Sequence, residues 1–374
     1  MEYRSWYERN IKTSLLGFGA MRLKTVNGEI DEAKGLALFD YAYKHGINYY
    51  DTAMPYTEGK NETFVGKALK RYPRDSFYLA SKLSLGMLNS QEEVLGFIDR
   101  QLENLQTSYL DMYLLHALNK ERVKLIKEWD ILTIVKRWQQ EGKIRNIGFS
   151  FHDDYETFTE ILAMNDWDFC QIQLNYMDTD IQQGIKGYED LVERKIPVVI
   201  MEPIKGGKLA TFSSSIAEPF RRLSSASNAS WALRWVGSLP GVKVMLSGMN
   251  EMEQLVDNLA TCSSFQALTS LEYQAVKEVK ARLEKAIKVD CTNCRYCMPC
   301  TVGIDIPGNF RIFNSFGMYN NESDAHWQFN NLIRHSTSLT SCIECGKCVE
   351  ECPQHIQIPD ELKRMKREMT FLQF

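Results

Sequence analysis

Two short stretches constrain this chain more than any others: "CTNCRYCMPC" at 291–300 and "CIECGKCVEECP" at 342–353. Between them they hold eight of its ten cysteines. Cys342, Cys345, Cys348 and Cys352 follow C-x2-C-x2-C-x3-C with Pro353 directly behind, and Cys291, Cys294, Cys297 and Cys300 form a C-x2-C-x2-C-x2-C partner. In the first pattern three thiolates hold one cubane cluster and the fourth ligates its neighbour. Zinc modules instead tend to separate two C-x2-C pairs by a longer span. The pair of runs predicts two [4Fe–4S] clusters with crossed ligation. Cys291, Cys294, Cys297 and Cys352 would hold one, and Cys342, Cys345, Cys348 and Cys300 the other. Clustered cysteines doing metal work imply a reducing compartment, so the expected location is the cytoplasm. Cys170 and Cys262 stand alone and read as small buried hydrophobes.

Upstream, short β-rich runs alternate with longer helical patterns. The strand-like runs fall at 14–19, 47–51, 77–83, 110–116, 144–150, 169–175, 196–202 and 242–248. Several are almost continuously apolar, as strands covered on both faces of a parallel sheet must be. Between them lie amphipathic segments such as "DEAKGLALFDYAYKHG" (31–46), whose Leu36, Phe39, Ala42 and Tyr43 share one helical face and whose Gly46 is a stop signal. Eight β/α units over roughly 250 residues predict an α/β fold of the (β/α)8 TIM-barrel type. No G-x-G-x-x-G joins a strand to a helix, which argues against a doubly wound dinucleotide fold. A charged helix over 270–288 leads into the cysteines, and "DAHWQFNNLIRHS" between the runs is helical in pattern. The expected domains are therefore a barrel over 1–285 and a helical two-cluster domain over 286–374.

A net charge of −4 offers no basic field for nucleic acid or an anionic membrane. No stretch approaches the roughly 18 apolar residues of a membrane span, and the first residues carry charges throughout. Neither partner is expected.

In a barrel, side chains at the C-terminal ends of the strands are the ones placed for chemistry. Asp51 ends one run, Tyr56 follows in its loop, Lys82 sits near the end of "LASKL", and His116 ends "MYLLH". Alone, each has a plain structural reading as cap, loop packing, surface charge or core histidine. Three successive strand ends carrying all four is a different matter. Reduction of a carbonyl needs a hydride on carbon and a proton on the developing alkoxide. Tyrosine, with a pKa of about 10, is a weak acid near neutrality unless its anion is favoured. A lysine ammonium beside Tyr56 would favour that anion, a carboxylate at Asp51 would hold the ammonium, and His116 would hydrogen-bond the carbonyl oxygen.

"DTAMPY", "GKNETFVGKAL", "LASKL", "LDMYLLH" and "EGKIRNIGFS" resemble the aldo/keto reductases over nearly all of residues 13–260. The whole chain resembles their iron–sulfur branch, a barrel fused to a two-cluster ferredoxin-type domain. The resemblance assigns the catalytic roles to Asp51, Tyr56, Lys82 and His116. It also implies a nicotinamide cofactor, NAD(P)(H), held without a Rossmann domain. Ser150 and Gln171 match residues that bond its carboxamide, and Gly248, Met249, Asn250, Gln254 and Asn258 match the segment at its adenosine phosphate. Three departures stand out. Phe151 lies where the pattern often has Asn, Met201-Glu202 replace the usual Tyr-Ser with its stacking tyrosine, and Thr301 replaces a proline after Cys300. No Lys or Arg occurs between 247 and 258, so a 2′-phosphate lacks its obvious partner and NAD(H) is preferred, unless a cation such as Arg221 or Arg222 arrives from elsewhere. The implied substrate is a small carbonyl or alcohol. A hydride carries two electrons and a cluster passes one, which leaves two further expectations open: a redox partner protein, or a flavin in the barrel. The alternative class is an electron-transfer protein with the barrel as scaffold. Retention of all four strand-end residues favours the enzyme.

Overall fold

The eight apolar runs do become eight parallel strands, closed into a barrel, in the computed structural model, which describes residues 1–374. In chain order they are β1 (Leu16–Gly19), β2 (Tyr49–Asp51), β3 (Tyr78–Leu83), β4 (Leu110–Leu118), β5 (Ile144–Phe151), β6 (Phe169–Gln173), β7 (Val198–Met201) and β8 (Val242–Ser247). Each pairs with the next, and β8 pairs with β1 to close the ring. Side chains alternate across the wall. Tyr49, Ala80, Met112, Leu114, Phe169, Val199 and Val244 form one buried cluster, while neighbours such as Tyr50, Leu79, Tyr113 and Ile200 belong to the core shared with the helices.

An N-terminal antiparallel pair, Tyr3–Ser5 with Lys12–Ser14, carries Trp6 into the first of these clusters. Trp6 is fully buried, with its ring centroid 6.5 Å from that of Tyr49 and 5.7 Å from that of Phe169. This plug and a second small pair, Thr25–Val26 with Glu29–Ile30, have no counterpart among the sequence expectations. The first interstrand helix, Glu32–Lys44, starts where Asp31 accepts from the Lys34 N–H at 3.1 Å and stops before Gly46, whose φ of 89° continues no helix.

By its contacts the chain forms two compact units, Met1–Gly206 with Ala229–Thr269, and Gly207–Asn228 with Ser270–Phe374. These divide the chain elsewhere than at residue 285. Helix Ser270–Lys285 groups with the second unit, where Arg222 pairs with Glu278 and Arg282 with Glu218. That unit is helical, with Ile306–Tyr319, Glu322–Ile333 and Ile358–Glu368 as its longer later helices. Its core gathers Ile304, Phe310, Phe313, Phe329, Leu339 and Met365 around the buried Cys352. Cys170 and Cys262 are buried in the barrel core, as small apolar side chains are. No helix is long and apolar enough to cross a membrane.

Candidate active site and cluster ligands

Register brings the strand-end residues together. Asp51 of β2 lies opposite Ala80 of β3, and Lys82 of β3 opposite Leu114 of β4. Lys82 is fully buried, and its ammonium donates to Asp51 Oδ1 at 2.6 Å and to the Thr52 carbonyl at 2.8 Å. Removing one member of such a buried pair typically destabilises by about 3–5 kcal/mol, because the other charge is stranded. Burial pushes the Lys82 pKa down, but Asp51 and then Tyr56 raise it by more, so it stays charged. The same ammonium stands 4.9 Å from the centre of the half-buried Tyr56 ring.

Tyr56 shows one departure from expectation. Lys82 does pull its pKa down, but burial outweighs the ammonium and the net direction is upward from 10.0. Its loop is unusual, with Thr57, Glu58 and Gly59 all at positive φ (50°, 54° and 88°). Buried Asn61 holds that loop, accepting from Thr52 Oγ1 at 2.6 Å and donating to the Ala20 carbonyl at 2.9 Å and to Thr57 Oγ1 at 3.1 Å. A single amide thus ties the ends of β1 and β2 to the segment that presents Tyr56.

His116, on β4, meets the Tyr56 ring edge-to-face with centroids 6.0 Å apart. Its pKa falls from 6.5 to about 2, first through burial and then through the positive charges of Lys82, Arg122 and His152. It is a neutral imidazole at any working pH. Its Nδ1 lies 2.7 Å from Ser84 Oγ.

On the opposite wall, Gln171 of β6 is the register partner of Ser150 on β5. Ser150 Oγ accepts from the Ala117 N–H at 2.6 Å. Gln171 Nε2 reaches only the Met201 sulfur at 3.7 Å, and its Oε1 is buried with no hydrogen-bond partner. An orphaned amide oxygen of this kind is an acceptor awaiting a donor. A carboxamide N–H of a nicotinamide fits it.

The segment after β8 divides by role. Met249 is buried in the core, and Asn258 Nδ2 donates to Ser247 Oγ at 3.0 Å, fastening the helix Met252–Ser263 to β8. Gln254 Oε1 accepts from the backbone N–H groups of Asn250 at 3.0 Å and Glu251 at 3.3 Å. Gly248 is overlain by the Arg22 side chain, close enough that a Cβ there would lie 3.1 Å from it. Two cations from outside the segment, Lys24 and Lys34, both pair with Glu251. Sequence reasoning missed Arg22, Lys24, Lys34, Asn61 and Ser84. The lysines meet Glu251 across more than 200 residues of chain, and nothing local announces that.

In the second unit a cavity of about 460 Å³ is lined by Cys297, Cys300, Cys342, Cys345 and Cys348, with Val302, Ile304 and Leu362 among its apolar neighbours. The thiols stand around this space rather than meeting at one point. Burial pushes Cys297 up to about 11, and the next causes are Cys291, Cys348 and Cys294. Cys348 is raised by burial and then by Cys342, Cys345 and Cys300. Cys348 therefore lies near both Cys300 and Cys297. Thr301 Oγ1 lies 3.6 Å from Cys345 Sγ, a contact a proline there would lack. A set of thiols in an apolar-backed hollow suits iron–sulfur clusters.

The model of the aldo/keto reductase family matches residues 15–281, and that of the 4Fe-4S dicluster domain matches residues 290–356. L-galactose dehydrogenase of Arabidopsis thaliana is 26% identical over 305 residues, covering 76% of this chain and 95% of its own. The aldo-keto reductase YhdN of Bacillus subtilis is 29% identical over 199 residues, covering 50% of this chain and 58% of its own. Among solved structures, the holo form of an aldo-keto reductase from Bacillus halodurans superposes with a TM-score of 0.63 at 26% identity, over 75% of this chain and 96% of that one.

Proposed function

The chain belongs to the aldo/keto reductase family, and from that premise we propose that it reduces a small-molecule carbonyl, reversibly, with Tyr56 as proton donor and NAD(P)H as hydride source. It is an oxidoreductase whose barrel is followed by a 4Fe-4S dicluster domain. The functional division we propose remains near residue 285, with the reductase on one side and the cluster ligands on the other. One observation carries the reading: a fully buried Lys82–Asp51 pair beneath Tyr56, with a neutral His116 facing the same phenol.

Each residue has a distinct task. His116 donates a hydrogen bond to the substrate oxygen, drawing charge onto it. Tyr56 passes its phenolic proton to that oxygen as the alkoxide forms. The ammonium of Lys82 stabilises the phenolate left behind, and Asp51 keeps that ammonium in place. Gln171, with its open Oε1, and Ser150 would hold the carboxamide of the cofactor, and the segment 248–258 its adenosine phosphate. When bound, the reduced nicotinamide supplies the hydride. Met201 offers an apolar side chain where the family pattern has an aromatic plate. Deuterium transfer tests the reading. With 4-deuterated NADH and an aldehyde, the label should appear on the carbinol carbon of the product. Loss of the label to solvent would instead support a flavin in the barrel.

Cofactor choice follows from Glu251. Its carboxylate engages both Lys24 and Lys34, and those lysines hold it ionised, Lys34 most strongly. A 2′-phosphate arriving there would meet a carboxylate and two occupied ammonium groups, so NADH is expected to bind more tightly than NADPH. Glu251→Gln releases both lysines and should improve NADPH affinity about tenfold, the worth of one charge-assisted hydrogen bond. Direct titration of both cofactors decides it. Tighter NADPH binding by the unaltered protein, or an unchanged preference in the variant, would refute the assignment.

A further inference from the structure

Ser84 follows the last residue of β3 and is buried. It stands at the N-cap of the short turn Leu85–Met87, a position where a serine hydroxyl ordinarily accepts from a backbone N–H. Here it caps nothing, although the Ser84 backbone carbonyl does accept from the Met87 N–H at 3.0 Å. The hydroxyl has instead turned to His116, with Oγ 2.7 Å from Nδ1. His116 holds one proton for two nitrogens, since burial and the facing charges of Lys82, Arg122 and His152 keep it from a second. Which nitrogen carries that proton is set by what the other one meets.

We propose that Ser84 is a positioning residue for carbonyl reduction: its hydroxyl donates to Nδ1 of His116, fixing the imidazole proton on Nε2, where it faces the substrate oxygen. The inference deepens the reductase reading and rests on it. The opposite tautomer, with Nδ1–H donating to Ser84, would turn a bare Nε2 lone pair toward the lone pairs of the carbonyl oxygen. That arrangement repels the substrate it should orient. A hydroxyl bound only to an acceptor nitrogen removes the ambiguity, because it has a proton to give and no backbone donor competing for its oxygen. Arg122 fastens the backbone next to His116, donating to the Ala117 carbonyl. Ser84 itself touches neither substrate nor cofactor in this scheme and works through the imidazole.

The test reads the tautomer directly. In protein labelled with ¹⁵N-histidine, long-range ¹H–¹⁵N spectra distinguish a protonated from an unprotonated ring nitrogen, and His116→Phe identifies the signals. The resting protein should show His116 protonated at Nε2 across neutral pH. Ser84→Ala should yield a mixture of tautomers or the reverse one, and kcat/KM for an aldehyde should fall about tenfold, the loss of one hydrogen bond's orienting energy. Ser84→Thr, which keeps the hydroxyl, should restore both. A His116 protonated at Nδ1 in the unaltered protein, or a pure Nε2–H tautomer surviving in Ser84→Ala, overturns the proposal. The spectra need no substrate, so they stand even if aldehyde reduction fails, an outcome that would count against the reductase reading instead.

Discussion

Tyr56→Phe should lower the turnover number at least about 100-fold, the lower range for a positioned general acid, while nicotinamide and substrate bind nearly as before. The substitution removes one oxygen from a half-buried ring and leaves the Lys82–Asp51 pair intact. Little of the fold depends on it. The pH profile should identify the same group. A donor must be protonated, and burial moves the Tyr56 pKa upward from 10.0 despite Lys82. Reduction should therefore stay level through neutral pH and decline only on the alkaline side, where the phenol ionises. The reverse reaction, which needs the phenolate, should gain over that range. His116, at about 2, adds no inflection. Steady-state rates at saturating substrate, with a separate cofactor titration, provide the check. A Phe variant that turns over normally would remove Tyr56 from the acid role.

The barrel was legible because a parallel strand covered on both faces must be apolar along its length, and "YLLH" or "VVIM" permits little else. The strand-end residues were legible from their joint placement, with Asp51, Lys82 and His116 at the ends of three successive strand-like runs and Tyr56 in the loop after the first. Other parts depend on three-dimensional neighbours and leave no local trace. Trp6 plugs the barrel from a two-strand pair with three residues in each strand. Asn61 reads as an ordinary polar residue until its partners Ala20, Thr52 and Thr57 are seen. Ser84 reads as a loop serine. For Tyr56 the sequence identified the neighbouring charge, but a sign that depends on burial competing with that charge requires both to be weighed. The lysines at Glu251 come from a segment more than 200 residues away, so reading 247–258 alone cannot show them.

Disrupting cluster ligation should collapse the second unit and leave the chemistry of the barrel unaltered. Anaerobically prepared protein is expected to carry about eight irons and about eight acid-labile sulfides, by the ligation rule for two cubanes. Cys352 lies in the buried core of its unit, and Cys291, Cys297, Cys300, Cys342 and Cys348 pack against that core. Ligation by these cysteines should therefore be coupled to folding there. Cys348→Ala should lose the cluster it helps to hold, together with amide-exchange protection across residues 286–374. Hydride transfer moves two electrons and leaves none over for a one-electron carrier. In the proposed mechanism Tyr56, Lys82 and His116 would provide the proton and the charge stabilisation. Folded protein that survives the substitution should thus keep its turnover number. Rapid anaerobic mixing with NADH and an aldehyde gives the decisive comparison. If the clusters are structural, their absorbance near 400 nm stays constant while NADH is consumed. Bleaching at the rate of turnover, roughly 1–1000 s⁻¹ for ordinary enzymes, or a stoichiometric flavin in the purified protein, would make the clusters electron carriers. Thr301 beside Cys345 would then be a candidate for tuning one of them, since hydrogen bonds to cluster sulfurs shift the potential.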